Sequence, residues 1–237
     1  MKSKILHTNR VRRSHVQSAF LFVSLLIGGF AVSPMALGQA EFGNANTAAG
    51  LNALENLTTG ERNTALGARA LFGLTTASNN TAIGWRSLTA NTADNNTATG
   101  FRALTSNTTG VNNTAVGLDA LRENTTARVN TAVGANALEV NTTGLYNSAV
   151  GAGALANNTT GTANTALGEN ALLRSTSANA NTAVGRWAMV NYVVGERNTA
   201  VGASALADNQ TRRSNTAIGS YALQNGAGEN QYRARLS

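Results

Sequence analysis

The acidic side chains able to run general acid–base chemistry, Glu55, Glu61, Asp94, Asp119, Glu123, Glu139, Glu169, Glu196 and Asp208, are scattered over different positions of a repeating sequence. Catalysis by a carboxylate needs the group held at one place against its substrate. The scatter fits solvated turn residues instead. The chain has no Cys, and its two histidines, His7 and His15, lie in the first 40 residues. Thiol chemistry, the usual metal ligand and the usual general base are thereby removed from the rest. No enzyme and no cofactor are expected.

Binding chemistry has better candidates. Arg69, Arg86 and Arg102 occupy one repeat position in three successive copies, and Trp85 and Phe101 occupy the position before it in two of them. Guanidinium groups bind carboxylates and phosphates, so an acidic glycan or a lipopolysaccharide phosphate is one candidate ligand. The aromatics could stack on sugar rings or pack against another subunit. The plainer reading is a solvated, charged edge that opposes aggregation between sheets. Trp187 and Tyr192 lie in the copy whose turn, Val193-Val194-Gly195, departs most from the others.

The element that must position these residues is the pentapeptide Asn-Thr-Ala-aliphatic-Gly. It begins at Asn46, Asn63, Asn80, Asn96, Asn113, Asn130, Asn147, Asn164, Asn181, Asn198 and Asn215. The step is 17 residues except from Asn80 to Asn96, where it is 16. With Asn as column 0, columns 2 and 4 are always Ala and Gly. Column 1 is Thr except at Ser148, column 7 is Ala except at Ser87, and column 8 is Leu except at Met189. A unit this short cannot bury an apolar face alone and must stack on copies of itself.

Alternation through Thr-Ala-Val-Gly predicts a strand with Thr and Val on one face and Ala and Gly on the other. A second short strand is expected around Ala53 and Leu54. Thr-Thr-Gly at Thr58–Gly60 and its equivalents is expected to turn on glycine's positive φ. Paired helices would need a longer unit, and Asn, Thr and Gly are poor helix interiors. The predicted fold is an all-β solenoid of about eleven 17-residue coils, stacked in parallel at about 4.8 Å to give a rod of roughly 50 Å. The eleven asparagines are expected to form a structural ladder, each amide donating to the next. The Ala and Gly columns imply a close approach, either by the opposite wall of the coil or by a neighbouring subunit.

Residues 1–40 lie outside this pattern and read as a signal peptide. A basic stretch (Lys2, Lys4, Arg10, Arg12, Arg13) precedes an apolar core at 19–32 and small residues at Ala36, Gly38 and Ala40. The core is shorter than the about 20 residues of a membrane span. Export to the cell surface or the medium follows. Beyond residue 40, thirteen arginines stand against eleven acids, a balance of only +2, so a nucleic-acid partner is not expected. Solenoid repeats are assigned to 41–226 and a short tail to 227–237. No heptad run or series of barrel-like segments follows, so any membrane contact is expected through a separate anchor.

Asn-Thr-Ala-Val-Gly with its trailing Ala-Leu resembles the head repeats of YadA-like trimeric autotransporter adhesins, and is also similar to repeat arrays of phage tail-fibre-type proteins. The match runs from residue 46 to about 226. It implies a left-handed parallel β-roll, three chains about one axis, and bacterial surface display for adhesion to host matrix protein, surface glycan or other cells. The 17-residue period is longer than the heads' common spacing of about 14. A structural fibre without a ligand and a binder of ice or crystal surfaces through the Thr columns stand as alternatives.

Overall fold

The computed structural model describes residues 40–42, 44–208, 213–224 and 232–234, so the predicted signal peptide lies outside the described residues apart from Ala40. The repeat folds as predicted, into an all-β solenoid. Its strands are β1 (Ala40–Phe42), β2 (Asn46–Ala49), β3 (Thr64–Leu66), β4 (Thr81–Ile83), β5 (Thr97–Thr99), β6 (Thr114–Val116), β7 (Thr131–Val133), β8 (Ser148–Val150), β9 (Thr165–Leu167), β10 (Thr182–Val184), β11 (Thr199–Val201), β12 (Thr216–Ile218) and β13 (Tyr232–Ala234). They form one sheet in chain order. The eleven repeat strands β2 to β12 pair in parallel, with Thr opposite Thr and Ala opposite Ala. β1 closes the first coil antiparallel, and β13 extends the sheet in parallel beyond the last repeat.

The expected return strand does not form. Around Ala53 and Leu54, and at every equivalent, the chain runs through consecutive β-turns closed by Ala70 N–H to Gly67 carbonyl and Leu74 N–H to Leu71 carbonyl. The cause is a regular alternation of backbone handedness. Columns 6 and 8 adopt positive φ in every coil, with the column 8 angles held between 49° and 53°. Each reversal flips the peptide plane. Thus Arg69 N–H reaches back to the Leu51 carbonyl, whereas Leu71 N–H reaches forward to the Ser87 carbonyl. The segment bonds along the rod as a strand would, without being extended.

Alternation of burial follows the strand prediction. The Ala of columns 2 and 7 and the Leu or Met of column 8 are almost wholly buried, and the column 1 and column 3 side chains face outward. These apolar columns close against one another within one chain, which selects the opposite wall over a neighbouring subunit as the source of the close approach. The glycine column is set by the axial direction. Gly134 has φ of 133°, and a Cβ there would lie 2.6 Å from the carbonyl carbon and oxygen of Gly151 in the next coil. The glycine of the Thr-Thr-Gly turn serves differently from the expectation: Gly60, Gly110, Gly144 and Gly161 do not have positive φ but press against the next coil's carbonyl.

The 16-residue coil keeps all of this in register because it drops an exposed residue. Asn91 bonds the carbonyl of Ala93, two residues on, where Asn107 bonds that of Gly110, three residues on. The deletion therefore falls on the outside of the turn after Thr92.

Gly134→Ala adds both φ strain and a backbone overlap that neither coil can relieve by a rotamer change. A loss of about 3 kcal/mol is expected, measured as a lowered guanidinium midpoint. An unchanged midpoint would show that the glycine column is not what sets the coil spacing.

Candidate functional site

The eleven column 0 asparagines are buried and form a ladder, but its main bond differs from the one predicted. Each Oδ1 accepts the backbone N–H of the next coil's asparagine, as in Asn63 to Asn46 at 2.8 Å and Asn130 to Asn113 at 3.0 Å. In eight coils the Nδ2 crosses the coil to the carbonyl fourteen residues on, for example from Asn147 to Gly161 at 2.8 Å, whereas Asn80 in the short coil turns to the Ser78 carbonyl at 3.1 Å. Amide-to-amide bonds occur as a third, longer contact, such as Asn80 Nδ2 to Asn63 Oδ1 at 3.2 Å. The side chain thus ties the start of each coil to its end and to its neighbour.

Two further ladders escaped the sequence reading. In column 11, Asn91, Asn107, Asn124, Asn141 and Asn158 are fully buried, and each Nδ2 from Asn107 onward donates to the preceding Oδ1 at 2.6–3.1 Å. Leu57 and Leu74 occupy that column before them, Ser175 and Tyr192 after them, which breaks the signal. Where Ser175 replaces Asn, both the Asn158 Oδ1 and the Ser175 Oγ are buried without a hydrogen bond. In column 12, the hydroxyls of Thr58, Thr92, Thr108, Thr125, Thr142 and Thr159 donate to the next coil's column 12 carbonyl at 2.8–3.1 Å. These columns are occupied with holding the rod together.

Among the outward columns that vary, the sequence-predicted residues do come together. Trp85 and Phe101 stack with centroids 4.8 Å apart and planes 18° apart, and both remain 41–44% exposed. The Arg86 guanidinium lies over Trp85 at 5.2 Å, Arg102 over Phe101 at 5.1 Å, and Arg69 over Phe72 at 4.9 Å. Column 5 carries only Ala68 in the coil before Trp85, in register through Arg86 N–H to the Ala68 carbonyl. The outward face of the indole has no stacked ring among the described residues.

The run of positive charge along column 6 ends in an ion pair. Asp119 follows Arg102 in that column and receives it as a fork, Nε at 2.7 Å and Nη2 at 2.6 Å. That hydrogen bond holds the Arg102 guanidinium above its usual pKa, against the opposing effect of burial. Arg69 and Arg86 have no acidic partner among the described residues. Two cations without an acidic partner thus lie in the coil of Trp85 and in the coil before it.

The divergent coil holds no comparable cluster. Arg186 lies over Trp187 at 3.9 Å and pairs with Glu169, while Tyr192 is buried and bonded through its hydroxyl to Asn198. The turn beside them forms a shallow polar recess lined by Ser177, Asn179, Glu196 and Arg213. Among the described residues no three acidic, Cys or His side chains gather as a metal site. No protein-family model, curated protein or solved structure matches the chain.

Removing the middle of the second asparagine ladder with Asn124→Ala leaves the Asn107 Oδ1 buried without its donor. A loss of about 2–3 kcal/mol in chemical denaturation is expected, against near neutrality if solvent enters the coil. Tyr192 supplies a pH test. Desolvation, then the nearby Glu196, raises its phenol well above the ordinary 10.0. A raised pKa means that the folded state favours the protonated form, so its contribution is complete below pH 10 and declines as pH rises beyond it. Denaturation midpoints from pH 8 to 11.5 should fall steeply above pH 10 in the parent chain and less steeply in Tyr192→Phe. Equal slopes would show that Tyr192 is not the group responsible.

Proposed function

We propose that this chain is an exported, non-catalytic rod of the adhesin-head type, which binds acidic glycans of extracellular matrix or of other cells through its lateral surface. The observation that carries the reading is the Trp85–Phe101 stack with Arg69 and Arg86 beside it. It is exposed, and it is built from columns that the stacking leaves free. Stacked rings offer apolar faces to sugar C–H groups, and guanidinium groups offer paired donors to carboxylate or sulfate. Ring–ring and cation–ring contacts of about 0.5–1.5 kcal/mol each hold the patch in shape before a ligand arrives. Preorganisation of that kind lowers the cost of binding.

A homotrimer belongs to the same reading and would add avidity by placing three patches on one rod. The apolar core is complete in a single chain, so association would use outward-facing side chains.

The test is a glycan array, followed by titration of the best acidic oligosaccharide against the parent chain and Trp85→Ala/Phe101→Ala. Both positions are exposed, so the variant should keep its far-UV dichroism and lose no more stability than the three ring contacts supply, about 1.5–4.5 kcal/mol. Expected is a loss of affinity of about tenfold or more, together with weakening of parent binding by salt. Failure of the parent chain to bind any acidic glycan, or binding that survives the double substitution, overturns the reading.

A further inference from the structure

The rod carries a second surface with different chemistry. Columns 1 and 3 of the repeat strands face outward over all eleven coils, and neither column contains a charged or an aromatic residue. Column 1 is Thr in every coil but one. Column 3 is aliphatic in nine coils, with Ile83, Val116, Val150, Leu167, Val201 and Ile218 all 36–47% exposed. The backbone repeats almost without change, as the column 8 φ angles confined to 49–53° show.

The hydroxyls of this face are unspent. In column 12 the threonines give their protons to carbonyls of the next coil. In column 1, Thr64, Thr81, Thr97, Thr114, Thr131, Thr165, Thr182 and Thr199 make no side-chain hydrogen bond among the described residues. Two threonine columns of one repeat thus have opposite fates, and of the two it is column 1 that keeps its bonding capacity for something outside the chain.

We infer that this face is a binding surface for ice. Hydroxyl and methyl groups recur at the strand spacing of about 4.8 Å along the rod, and columns 1 and 3 lie about 6.7 Å apart across it. Such a grid resembles the regular spacing of a lattice of water oxygens. It has no distinguished point at which a discrete ligand would be recognised, which is what a repeating partner requires. Neutrality matters as well, since a fixed charge would organise water around itself and disrupt a lattice-like first layer.

A second copy of the chain is a poorer occupant. The face measures roughly 50 Å by 10 Å, about 500 Å² per partner, below the about 800 Å² of a standard stable interface. Covering it with protein would also bury a row of hydroxyls, each costing about 1–3 kcal/mol unless matched by a partner.

The experiment is ice-crystal microscopy with the full chain in a nanolitre osmometer, recording crystal shaping and the gap between melting and freezing. Thr131→Lys places a charge at the centre of the face. Thr143→Lys places the same charge on an exposed threonine outside it and serves as the control. Dichroism and denaturation midpoint check that both variants remain folded. Expected is faceting and a measurable gap for the parent chain and for Thr143→Lys, reduced by about tenfold or more in Thr131→Lys. A folded parent chain that leaves ice crystals unshaped overturns the inference. So does activity that survives Thr131→Lys, or adsorption to crystalline cellulose or chitin without adsorption to ice. A solution mass of a dimer or trimer that Thr131→Lys dissociates overturns it in favour of self-association. Glycan binding by the Trp85 patch is unaffected by any of these results, so the two readings fail separately.

Discussion

The structure depends on hydrogen bonding along its axis, and the column 0 asparagine is the group through which most of it is organised. Most coils have a core of one Leu and a few alanines, too small to fix a unique shape by packing. The asparagine supplies the missing specification. Its Nδ2 closes the coil on the carbonyl fourteen residues on, and its Oδ1 accepts the main chain of the next coil. Both groups are buried, where an unmet amide is costly, so the native stacking is favoured over a displaced one by the penalty of losing partners as well as by the bonds themselves.

From that constraint follows the division of labour across the coil. Positions facing inward or along the axis are fixed by the stack: Asn, Ala, Leu, the buried asparagines from Asn91 to Asn158, and the glycines whose Cβ would meet the next coil. Positions facing outward are released, and they diverge by location. The strand face stays neutral and uniform. The adjoining corner gathers Trp85, Phe101 and the arginines in three neighbouring coils, and Asp119 ends the run of positive charge by pairing with Arg102. One rod therefore presents a periodic surface and a singular one.

The strand, its period and its inward and outward faces were legible because column identity repeats eleven times and alternation has a direct geometric meaning. The return path was not. Leucine has no preference for positive φ, so nothing at Leu54 or Leu71 announces a left-handed residue; the conformation is imposed by the need to flip peptide planes between coils. Column 11 hid its ladder by changing from Leu74 to Asn91 and from Asn158 to Ser175 within the chain. Of the candidate site, adjacency of Trp85 and Phe101 was readable from their shared column. The pairing of Arg102 with Asp119 was equally present in column 6, but it lay hidden because Asp119 breaks the run of arginines that defined the patch.

Near-identity of the coils carries a cost during folding. A segment that docks one coil too far along satisfies almost every backbone bond and most ladder bonds of the correct arrangement, so local energetics discriminate weakly between the right partner and its neighbour. Mis-registered intermediates are the natural trap of such a chain. The irregular features then act as addresses. The coil beginning at Asn80 is one residue short, Tyr192 fills a place held by Leu, Asn or Ser in the coils before it, and β1 runs against the direction of all the strands that follow. Each is matched by its surroundings at one location only, and together they tell the chain where it is.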